Sequence, residues 1–186
     1  MGDRAKWLGF PWRRIMDWTS TISEIVGRYS GQGGGTAAAP QDPHADFQRV
    51  TQAAPRDVVA GGISQAFRSD QTPPFSEMLA HLFNQSDPGQ RAGLVNQLLG
   101  SIGPGGVRSI PGMTNLYSLI PSGTVSAAQA SQISANQVQQ VAAHAERQNP
   151  AVVDHVSAFL AQHPRVMKAV GGVALTVALQ HMMKRS

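Results

Sequence analysis

Proline spacing constrains this chain more than any other feature. Asp42-Pro43, Ala54-Pro55, Thr72-Pro73, Asp87-Pro88, Asn149-Pro150 and His163-Pro164 punctuate the 186 residues. Proline at the first position of a helix sacrifices no hydrogen bond, because that N–H has no partner inside the helix. The residue before a proline is pushed out of the helical region. Each pair therefore ends one helix and opens the next, and places Pro55, Pro73, Pro88, Pro150 and Pro164 in first helical turns. Long strands and long coiled coils do not tolerate such spacing.

Between these boundaries the apolar residues recur at the helical period. Residues 42–53 carry Phe47 and Val50, and residues 55–67 carry Val58, Val59, Ile63 and Phe67. Gly61-Gly62 inside the latter costs about 2 kcal/mol of helix propensity, so close packing is expected to offset it. Residues 72–84, with Thr72 as cap and Pro73 as first residue, place Phe75, Met78, Leu79, Leu82 and Phe83 on one stripe. Residues 87–101 bear Leu94, Val95, Leu98 and Leu99, with Ile102 just beyond. Residues 103–124 hold three prolines and read as a long Gly/Pro-rich loop with one helical turn near 114–119. A loop of that length is either functional or mobile, and it is the place a ligand pocket would be sought. Ser134 with Gln137 forms a capping box opening a helix to about residue 148, with Val138, Val141, Ala142 and Ala145 on one face. Residues 150–162 and 164–184 complete the set. No hairpin turn or alternating strand pattern occurs. The expected fold class is all-α: a bundle of about eight short proline-initiated helices, the last being the longest and most apolar.

Three units follow. Residues 1–30 form an amphipathic aromatic and basic helix segment, 31–41 a Gly/Ala-rich linker, and 42–186 the helical domain. The chain has no cysteine. Disulfide scaffolds, cysteine zinc sites and thiol nucleophiles are thereby excluded. Charged residues make up only 14%, against a usual value of about 25%. Net charge is +4, with basic ends and a mildly acidic middle. The largest basic clusters are the pairs Arg13-Arg14 and Lys184-Arg185, too small to predict a nucleic-acid partner. No apolar stretch near the start is long enough for a secretory signal, so a cytoplasmic location, peripheral to the inner membrane in the alternative reading, is expected. Met16 offers an alternative translational start.

Candidate chemistry is sparse. Gly62-Ile63-Ser64-Gln65-Ala66 is close to a nucleophile elbow, with Asp154 and His155 following in the order of a hydrolase. An elbow needs a strand-to-helix turn. Ser64 falls within an expected helix and reads as an ordinary surface serine. His44, His81, His144, His155, His163 and His181 include no pair at a spacing of three or four, so no metal site is expected. The glycines of 31–35 lack the Lys-Ser/Thr of a phosphate loop. No catalytic residue, metal or cofactor is assigned, and the chain reads as non-enzymatic. A faint echo links Pro55–Ile63 to Pro164–Val173, each with a Gly-Gly pair. Two copies do not make a repeat.

Two segments point to interaction. Trp7, Phe10, Trp12 and Trp18 lie among Lys6, Arg13 and Arg14, and Ile22, Ile25, Val26 and Tyr29 continue the apolar face. Aromatic and basic residues on one helix suit a protein groove, a second copy or a membrane interface. The second segment is the last helix, where Val170, Val173 and Val177 leave little polar face. It reads as a core helix or an oligomer face; eleven uninterrupted residues from Ala169 to Leu179 are short for a membrane span. The expected partner is another protein or a second copy, with a membrane surface as the alternative.

Residues 59–103 include Ala66-Phe67-Arg68-Ser69-Asp70-Gln71-Thr72-Pro73-Pro74-Phe75 and Gln90-Arg91-Ala92-Gly93-Leu94-Val95-Asn96-Gln97-Leu98-Leu99. Together with Asn149-Pro150 and His163-Pro164 after the 134–148 helix, these resemble the YidB-like group of small bacterial proteins over about two-thirds of the chain. The resemblance implies a helical fold, a bacterial origin and no assigned enzyme activity. It supplies no site residues, and the tryptophan-rich start lies outside the shared pattern.

Overall fold

A computed structural model describes Ser20, Glu24, residues 43–163, Val166 and residues 172–184. The described residues form α1 (Pro43–Ala53), α2 (Arg56–Phe67), α3 (Phe75–Gln85), α4 (Pro88–Arg108), α5 (Thr114–Leu119), α6 (Ala127–Ala130), α7 (Ala135–Gln148), α8 (Val152–Gln162) and α9 (Gly172–Lys184). They contain no strand. The all-α class is what the proline spacing and apolar period lead to.

The prolines mark boundaries in different ways. Pro88 is the first residue of α4 behind an Asp87 cap, as expected. Pro55 is instead the cap residue of α2, with extended ψ of 144°. α3 begins at Phe75, two residues later than expected, because Pro73 precedes Pro74 and is barred from the helical region. Pro74 is the cap, at φ −52° and ψ 146°. Thr72 does not cap α3. Its Oγ1 lies 2.6 Å from Ala66 O and donates backwards, closing the end of α2. Pro150 precedes Ala151, the cap of α8.

The stretch 103–124 is not the long loop its composition suggests. α4 runs to Arg108, interrupted at Gly103, whose φ of 68° and ψ of 167° are open essentially to glycine alone. α4 is therefore the longest described helix, at 21 residues. Val107, Ile110, Met113, Leu116 and Ile120 are all buried. Their spacing of three to four residues is a helical period obscured by intervening Gly and Pro.

Packing follows the stripes. α2 packs on α8 and α9, α3 on α7, and α4 joins the two groups through α6, α7 and α8. α1 covers α9 and the start of α2. One apolar cluster runs through all of them, from Phe47 to Met182. The α2–α9 contact depends on Gly62, since a Cβ there would sit 2.8 Å from Ala178 O and 2.6 Å from Met182 Cε. Gly93 on α4 likewise makes room for the Phe159 ring of α8, 2.4 Å from where its Cβ would lie.

Three reciprocal capping boxes start α4, α6 and α7: Asp87 with Gln90, Ser126 with Gln129, and Ser134 with Gln137. Asn96 ties α4 to the chain before α6 by two bonds. Its Nδ2 donates to Val125 O at 3.0 Å, and Val125 N donates to its Oδ1 at 2.7 Å.

Candidate functional site

A polar network joins α2 to α8. Ser64 is buried, not the surface serine its position in the sequence suggests. Its face of α2 meets α8 rather than solvent, and an isolated hydroxyl there would be costly. Its Oγ donates to Asp154 Oδ1 at 2.6 Å. Arg68, one turn further on, donates through Nη2 to Asp154 Oδ2 at 3.0 Å and to Pro150 O at 3.3 Å. Ser64, Arg68 and Asp154 thus form a polar seam at the rim of an apolar interface.

Burial pushes the Asp154 carboxyl up. The hydrogen bonds from Ser64 and Arg68 and the charges of Arg68 and His155 outweigh it, and the carboxyl is held below its ordinary value. The carboxylate is thus maintained as an acceptor. This is not a hydrolase triad. Ser64 bonds a carboxylate rather than an imidazole, and it lies in mid-helix rather than at a strand end. His155 faces elsewhere, with Nδ1 3.3 Å from Ser101 Oγ on α4.

Beside the seam lies a hollow of about 280 Å³. The end of α2 and the turn after it contribute Gln65, Arg68, Ser69 and Asp70, and α9 contributes Val177, Gln180 and His181. It lies between α2 and α9, not near 103–124, where the composition suggested a pocket. Arg68 belongs to both features, bonding Asp154 on one side and lining the hollow on the other.

The remaining histidines are scattered. His163 lies against the Phe159 ring with centroids 4.4 Å apart. His144 Nε2 is buried without a hydrogen-bond partner. No group of three potential metal ligands occurs among the described residues. Likewise among the described residues, no helix is long and apolar enough to cross a membrane.

Trp7, Phe10, Trp12, Trp18, Ile22, Ile25, Val26, Tyr29 and Val170 lie outside the described residues, as does the linker. Val173 is in α9. Val177 is half-buried, packs on the core and lines the hollow. Ala174, Leu175, Ala178, Leu179 and Met182 of α9 are buried in the chain's own core, the first of the two roles expected for that helix. Sequence reasoning missed Arg68 and the hollow. Only the register of α2 on α8 and α9 brings residues so far apart in sequence together.

No family model matches the chain, and no curated protein or solved structure matches it.

Proposed function

We propose that the protein acts without catalysis, by associating with a second copy or a protein partner through residues 1–30, while the helical body carries that segment. The observation that carries this reading is the separation of roles along the chain. All three tryptophans precede the Gly/Ala-rich stretch at 31–41, whereas the apolar stripes of the described helices are turned into one common core. With the apolar stripes of the described helices committed to that core, the aromatic and basic residues of 1–30 are the interaction signal of the sequence that supports this reading. The resemblance of residues 59–103 to the YidB-like group, which brings no enzyme activity, supports the same reading. The proposed location is the cytoplasm, and no cofactor is required.

The test compares the full chain with its Trp7→Ala/Trp12→Ala/Trp18→Ala variant by light scattering and partner capture. Self-association or capture that the triple variant loses is the expected result. A monomeric full chain that captures no partner overturns the proposal. Tryptophan-dependent co-sedimentation with liposomes, without protein association, replaces it with the membrane-surface alternative.

A further inference from the structure

We draw no further inference here: the strongest candidate, the surface of α5, α6 and the start of α7, free of Asp, Glu, Lys and Arg from Ser109 to Ala145, exposes mainly small and neutral side chains, and nothing in the structure shows what covers it.

Discussion

At the scale of single residues, the fold turns on where polar atoms and small side chains meet a closely packed interface. Ser64→Ala removes the 2.6 Å bond to Asp154 and is expected to cost about 1 kcal/mol, measured as a lower urea midpoint. The seam also makes stability depend on pH. Asp154 has its carboxyl lowered in the folded chain. Its contribution is therefore present above the ordinary carboxyl value, near pH 4, and is lost as pH falls through the folded value. Asp154→Asn is expected to lower the urea midpoint at pH 7 and to narrow its gap from the parent chain as the solution is acidified below about pH 4. Glycines separate into two kinds. Gly62→Ala meets backbone at Ala178 O and is expected to cost about 1–3 kcal/mol by overpacking. Gly100→Ala meets nothing within 4 Å on a helical, exposed position. It is expected to stabilise by about 0.5–1 kcal/mol, so the two thermal shifts should have opposite signs.

At the scale of elements, the capping box of Ser134 and Gln137 announces α7. The same pattern at Ser126 and Gln129 starts the short α6, a helix that was not expected. Ser134→Ala is expected to cost about 1 kcal/mol, read from denaturant unfolding. Prolines were less informative in detail. Two in succession delay a helix, as at Pro73-Pro74, and a hydroxyl beside them can serve the helix behind, as Thr72 does. The interruption in α4 shows the limit of propensity. Gly103 adopts φ 68° and turns the chain so that Val107 and Ile110 reach the core. Gly103→Ala is expected to destabilise by about 1–3 kcal/mol although nothing crowds that position. The strain is in the backbone, and a lower thermal midpoint checks it.

At the scale of the whole molecule, α2 and α9 hold a central place. α2 packs on both α8 and α9, and α1 closes over α9. The apolar character of α9 is therefore accounted for within the chain. Among the described residues, the cluster from Phe47 to Met182 joins all nine helices in one core. A chain lacking residues 1–42 is therefore expected to unfold cooperatively, with a thermal midpoint within a few degrees of the full chain. Calorimetry of both forms checks it, and a large drop would mean that the tryptophan segment belongs to the core.

By itself the sequence determined the helical class, the positions of most helices and the inward-facing stripes, because these depend on local period and local capping. Phe75, Met78, Leu79, Leu82 and Phe83 could be assigned to one buried face from their spacing alone, and all five are buried. What only the tertiary structure decided is which helices touch. The Ser64–Asp154 bond spans ninety residues, and the hollow unites the end of α2 with α9 across more than a hundred. Such contacts are set by the relative register of packed helices, where Gly62 lets the backbone of α9 approach and Gly93 admits the Phe159 ring. No periodicity along the chain encodes that register, and the candidate site therefore emerged only with the fold.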